Sequence, residues 1–309
     1  MDRQLPNRIW LFISSGTPQD LPVRCLRFAF SEPPGISIVR FLLWLLPASY
    51  KSHLYDNFFT QGDKGFFGIF IYPTLNWQYY SMSEHERERF CRERIWGGQA
   101  GKQWHEANKQ EFEGDNDKYS ESESFLKYRR PLIRQISELL SSNPKYDVIC
   151  EIGTGNGMFL DCLSNEFPNI RRFVGIDINR KQILANMEAY KNSKLEFFHA
   201  EITDWVNTRC ENGTIFITVN VFEYFSQSEF KDILELIHDK INPVAIAVSE
   251  PINIDLSQQV TSKPRGAAAY SYNYPYLFQQ HGYEIFRQEL QPIKPDIPFH
   301  NEVIMTVTA

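Results

Sequence analysis

The chain has no unbroken hydrophobic run long enough to cross a membrane. Its most apolar window, "ISIVRFLLWLLPASY" (residues 36–50), is interrupted by Arg40 and closed by Pro47, short of the roughly 20 apolar residues a span requires. Stable membrane insertion is therefore not expected. The window reads as a buried or interface helix, or a homodimer seam, with a surface touching membrane or a greasy substrate as the other reading. Positive charge is also short. Lys and Arg number 32 against 38 Asp and Glu, a net charge of -6 with a pI near 5.7. That balance argues against a general binder of nucleic acid or anionic membrane, which needs a basic field. The five cysteines, Cys25, Cys91, Cys150, Cys162 and Cys210, show no CxxC spacing. Neither a disulfide framework nor a metal site is predicted, and a reducing, cytoplasmic setting is the expectation. The opening "MDRQLPNRIWLF" lacks the cationic and apolar regions of a signal peptide. No internal repeat is visible.

What is present divides into two textures. Residues 1–120 are rich in aromatics, as in "DKGFFGIFIYPTLNWQYYSM", and end in the acidic, loop-like "EFEGDNDKYSES". They read as a cap that covers substrate or forms a dimer contact. Residues 121–309 are regular. A helical stretch, "ESFLKYRRPLIRQISELLSS", precedes apolar runs "DVICEI", "RFVGID", "LEFFHA", "TIFITVN" and "VAIAVSE", each separated by helix-like sequence. Such alternation predicts an α/β fold with a mostly parallel sheet and crossover helices. The closing pair "YEIFRQEL" and "NEVIMTVTA" predicts an antiparallel hairpin at one side of that sheet.

The first strand runs into "EIGTGNG", where Gly153, Gly155 and Gly157 let the backbone turn sharply and a helix begins near Met158. Met158 stands one place after the third glycine, so the spacing is not the GxGxxG of a dinucleotide site. Glu151 would repel a pyrophosphate and suit a ligand with an ammonium group. A nucleoside that carries a cation and lacks phosphates meets both conditions.

"EIGTGNG" resembles the ExGxGxG motif of class I S-adenosylmethionine (SAM) dependent methyltransferases of the small-molecule type. The resemblance covers residues 121–309 and implies a Rossmann-like sheet with an antiparallel last strand. SAM is the implied cofactor and S-adenosylhomocysteine (SAH) the product. Glu151, Gly153, Thr154, Gly155 and Gly157 would form the turn that holds SAM. Asp177, at the end of "FVGID" and followed by Ile178, would take the ribose hydroxyls. Glu201 and Ile202, in "FFHAEITDW", would meet the adenine, although the resemblance favours aspartate at the first of these. Asn220 would contact the methionine portion. The "NPPY" motif of enzymes that methylate planar amino groups is replaced by "NVFEYF".

The expected reaction is methyl transfer to O or N of a small, largely apolar or aromatic acceptor of the kind found in secondary metabolism. A sugar hydroxyl and a non-catalytic SAM-fold protein are the alternatives. Glu223 is the first candidate to orient or deprotonate the acceptor, followed by His105 and His281. Trp104 and Tyr224 are candidate substrate contacts, as are Ser271, Tyr272 and Asn273 in the polar insertion that follows Glu250 at the end of the fifth apolar run. Tyr128, with Arg129 or Arg130, is placed near the methionine carboxylate.

Overall fold

The computed structural model describes residues 121–252, 260–265, 269–292 and 301–309, together with Met82, Ser83, Glu86, Phe90 and Trp96. The chain divides into two units, Met1–Trp104 and His105–Ala309, and almost all described residues belong to the second. The apolar window at 36–50 and the candidates Trp104 and His105 lie outside them.

A long helix, α1 (Glu121–Ser142), leads into β1 (Val148–Ile152), α2 (Met158–Glu166), β2 (Arg172–Asp177), α3 (Arg180–Ala189), β3 (Leu195–His199), α4 (Ile202–Thr208) and β4 (Thr214–Val219). A short 3-10 turn, Phe222–Tyr224, and α5 (Gln227–Lys240) carry the chain to β5 (Val244–Ile252). A small hairpin follows, β6 (Ser262–Arg265) and β7 (Ala269–Tyr272), then α6 (Tyr274–Gln280), β8 (Glu284–Pro292) and β9 (Asn301–Thr308). All five apolar runs are strands. The hairpin β6–β7, in a segment read only as a polar insertion, is an addition that its prolines and glycine conceal.

The seven strands of the main sheet stand in the order β3-β2-β1-β4-β5-β9-β8. β1 to β5 pair in parallel, and β9 runs antiparallel between β5 and β8. β9 enters the sheet because its "VIMTV" core, Val303 to Val307, is buried on both faces. β8 takes the edge, where Phe286 and Leu290 remain exposed.

Side-chain alternation along the strands builds one core on each face of the sheet. On one side Ile149, Phe173, Ile215, Ala247 and Ile304 pack with Leu132 and Ile136 of α1 and Leu160 of α2. On the other, Val174, Phe216, Ile246 and Met305 pack with Trp205 of α4, Phe230 and Leu234 of α5, and Phe278 of α6. Phe230 is fully buried and is ringed by Phe222 at 4.7 Å, Tyr272 at 5.2 Å, Tyr274 at 5.7 Å and Phe278 at 6.0 Å between centroids. These rings come from three segments after β4. Phe230→Ala should therefore lower unfolding free energy by about 3–5 kcal/mol, read from a urea titration.

Candidate functional site

Sequence order reverses between β1 and β4, so their carboxyl ends splay into the crevice where open α/β sheets take ligands. The glycine turn closes one wall of it. Gly153 has φ 65°, and a Cβ there would lie 2.7 Å from Cγ2 of Val221, in the turn after β4. Glycine is thus required twice over, by conformation and by contact. Gly157, at φ 75°, begins α2 under the rings of Phe197 and Tyr190, 2.9 Å from where a Cβ would stand.

The chain's own carboxylates occupy this turn. Asp177 Oδ2 accepts a hydrogen bond from the Gly155 amide at 3.0 Å, while Oδ1 accepts from Asn179 N at 2.7 Å. The N-cap of α3 is Asn179, which receives Gln182 N at 3.2 Å, so Asp177 is free of the capping role that such a residue often has. Asn186 donates to the Gly155 carbonyl at 2.7 Å, and Thr154 N to the Ile176 carbonyl at 3.0 Å. Glu151 is buried and accepts from the Thr154 hydroxyl at 2.6 Å. Burial pushes its carboxyl up to about 8, the Thr154 bond opposing and the Asp177 charge adding.

The adenine-side candidates converge on Asp177. β3 pairs with β2 so that His199 stands opposite Asp177, and the Ala200 amide donates to the Asp177 carbonyl at 3.2 Å. Glu201 follows at once, at the start of α4, where its side chain makes no capping bond; Ile202 is buried. The carbonyl of Ile178 faces His199 Nε2 at 3.1 Å.

The turn after β4 forms the other wall. Asn220 takes φ 56°, a left-handed conformation that asparagine tolerates, and its amide donates to the Ser249 carbonyl at 3.0 Å. Glu250, fully buried at the end of β5, accepts from Val221 N at 2.9 Å and Phe222 N at 3.1 Å. Its carboxyl is raised to about 7 by burial, against these two amide bonds. The apolar run that ends in Glu250 places it at a strand end but does not encode this tether. The signal was "VAIAVSE", an acid closing an apolar strand as Glu151 closes "DVICEI". Glu223 is buried on the 3-10 turn beside it, and the Tyr224 hydroxyl is pushed up by its own burial and by the Glu250 charge.

Several candidates fall elsewhere. Tyr272 is fully buried in the aromatic core and donates to the Phe225 carbonyl at 2.6 Å, which makes it a structural strut. Asn273 caps α6, accepting from Tyr276 N at 3.4 Å. His281 follows α6 just before β8, whose Glu284 aligns through Thr308 with Ala245 at the amino end of β5. It sits at the opposite end of the sheet from the glycine turn, with Nδ1 3.2 Å from Glu235, and is removed from the catalytic candidates. Arg129, expected near the cofactor, is committed to a buried ion pair with Glu302 and donates to Ser249 Oγ at 2.6 Å. Among the described residues no cluster of His, Cys, Asp and Glu is placed to hold a metal, and no helix is long and apolar enough to cross a membrane.

The strand order, the single antiparallel strand β9 and the glycine turn at the reversal point decide the fold. It is the Rossmann-like class I methyltransferase fold. No protein-family model matches the chain, and no curated protein does. Among solved structures it is similar to the magnesium protoporphyrin IX methyltransferase of Synechocystis PCC 6803 with bound SAM, at 11% identity and TM-score 0.49, over 74% of this chain and 98% of that one. It is also similar to the N-methyltransferase NodS of Bradyrhizobium japonicum WM9 with SAH, at 13% identity and TM-score 0.45, over 58% and 86%. Such distant likeness carries no activity across.

Two outcomes follow from this geometry. Gly153→Ala should destabilise the fold by more than 1 kcal/mol, of order the cost of a strained backbone plus a clash. Val221→Ala in the same chain should recover the clash and leave the backbone strain, a coupling that a double-mutant cycle measures. The second concerns pH. Glu151 and Glu250 keep their protons in the folded state above the pH at which an unfolded carboxyl, near 4.5, has lost its own. Stability contributed by them is therefore present below about pH 4.5 and is lost as pH rises, through about 7 for Glu250 and about 8 for Glu151. The expected slope is about 1.4 kcal/mol per pH unit for each carboxyl. Glu151→Gln should remove its share of the slope in urea titrations between pH 5 and 8.

Proposed function

We propose that this protein is a class I SAM-dependent methyltransferase acting on O or N of a small, largely apolar or aromatic acceptor. One observation carries the reading: the Gly155 amide, where a dinucleotide fold would offer a donor to phosphate, is taken by the Asp177 carboxylate at 3.0 Å, with the Glu151 carboxyl in the same turn. A phosphate would meet two acids there. A cationic nucleoside meets complementary charge.

In this reading Glu151 receives the ammonium of the methionine portion, Asp177 the ribose hydroxyls, Glu201 and the Ile202 amide the adenine, and the Asn220 turn the methionine chain. Bound there, SAM would supply a methyl carbon already activated by its sulfonium. The residues of the chain align the acceptor and exclude water. Glu223, held by a turn that Glu250 anchors through two amide bonds, orients the nucleophilic N–H or O–H and takes its proton where that proton must leave early. Residues 1–120 serve as the cap or dimer contact and 121–309 as the cofactor domain.

Calorimetry with SAH and with NAD tests the cofactor. SAH should bind and NAD should not, and Asp177→Asn should weaken SAH by about tenfold or more through the lost charge on the ribose bonds. Tight NAD binding without SAH binding would overturn the assignment. Methyl-labelled SAM incubated with fractionated cell extract should then label the small-molecule fraction. Full turnover by Glu223→Gln would show that alignment alone suffices.

A further inference from the structure

Among the described residues five large apolar side chains are exposed, and two of them, Phe286 at 37% and Leu290 at 57%, share β8. β8 is also an outer strand of the main sheet, with β9 as its neighbour on the inner side. An outer strand offers a row of N–H and C=O groups to another strand, and apolar side chains along it favour that pairing over contact with water. The opposite outer strand, β3, carries no exposed large apolar side chain. The two edges are therefore built for different surroundings.

The residues of β8 name the partner. Gln288 is the middle of "FRQEL", and the pattern around it is self-complementary, with Arg287 mirroring Glu289 and Phe286 mirroring Leu290. An antiparallel copy of the strand centred on Gln288 sets Arg287 opposite Glu289 of the second copy, and Phe286 opposite Leu290 of the second copy. A shift of the centre by one residue either way sets Arg287 against Arg287, or Glu289 against Glu289. Like charges directly opposite disfavour both shifts, so charge fixes the register. Arg287 is half-exposed, and its one ion pair, with Glu138, is long at 4.0 Å, which leaves guanidinium donors for a second carboxylate. Glu289 is partly exposed and has acceptor sites beyond those that Arg134 takes at 2.7 and 2.8 Å and Gln135 at 3.4 Å. The segment is bounded as well. A register shift between Ile285 and Arg287 leaves Phe286 as the extra residue of a bulge, and Pro292, with no N–H to donate, ends the strand.

We propose that the outer edge of β8, from Phe286 to Leu290, is a homodimer interface at which a second copy of this chain pairs antiparallel about Gln288. The same patch serves both copies, so the contact closes as a two-fold dimer. β8 runs antiparallel to β9 and β9 antiparallel to β5, so β8 points the same way as the central strands. Antiparallel pairing at β8 therefore reverses the central strands of the second copy, and the two glycine turns open at opposite ends of the joint sheet. The interface is independent of which ligand the crevice takes.

Sedimentation velocity on the full chain, over a dilution series from roughly 1 to 100 µM, should show an equilibrium between monomer and dimer. Arg287→Glu and Glu289→Lys should each weaken the dimer about tenfold or more, because the two-fold repeats every like-charge contact. Mixed in equal amounts, the two variants should associate at wild-type strength, since each reversed charge then meets its opposite. Leu290→Lys, at an exposed position, should also dissociate the dimer and leave the circular dichroism spectrum unchanged. A wild-type chain that stays monomeric throughout the series would overturn the proposal. A dimer that survives both Arg287→Glu and Leu290→Lys would do the same by placing the contact elsewhere on the chain. Single variants that dissociate and are not rescued by mixing would overturn the pairing about Gln288.

Discussion

The hydrogen bond from the Gly155 amide to the Asp177 carboxylate is the contact on which the rest of the site depends. It joins the turn after β1 to the end of β2 and turns a potential phosphate cradle inward on the protein's own acid. Asn186 secures the same residue through its carbonyl, and Thr154 links the turn to the Ile176 backbone. With the turn tied in this way, Glu151 is sealed beneath it against Thr154. Burial at this depth raises the Glu151 carboxyl to about 8.

A second tether works across the crevice. Glu250 receives the amides of Val221 and Phe222, and Val221 in turn packs on Gly153 where any larger residue would collide. The end of β5 is thus connected, through the β4 turn, to the glycine turn of β1. Glu223 rides on this connection, so Glu250 and the Val221 contact help to fix its position. The buried Arg129–Glu302 pair with Ser249 fastens α1 at the same end of β5. Removing one member of such a pair leaves an uncompensated buried charge, which typically costs about 3–5 kcal/mol.

Much of the sheet was legible because each strand is an apolar run ending in a polar or acidic residue, and each helix between them has its own periodicity. "RFVGID" is β2 residue for residue, and "EIGTGNG" places the turn and the start of α2. Local chemistry suffices there: three glycines at positive φ have few alternatives. The acceptor side was far less legible. Tyr272 and Asn273 were candidates because aromatics and amides after a fifth strand suit a pocket, yet alternation along a four-residue strand turned the tyrosine into the core and the asparagine became a helix cap.

The sequence by itself determined the alternating α/β order, the glycine turn and the acids at the strand ends, since these depend on short-range periodicity and backbone permissiveness. Only the tertiary structure decided which acids share the turn, that β9 lies inside β8, that His281 is at the far end of the sheet, and that Arg129 is spent on Glu302. The reason is distance along the chain. Asp177 and Gly155, Glu250 and Val221, and Arg129 and Glu302 meet through strand order and register, and no local pattern encodes which strands become neighbours.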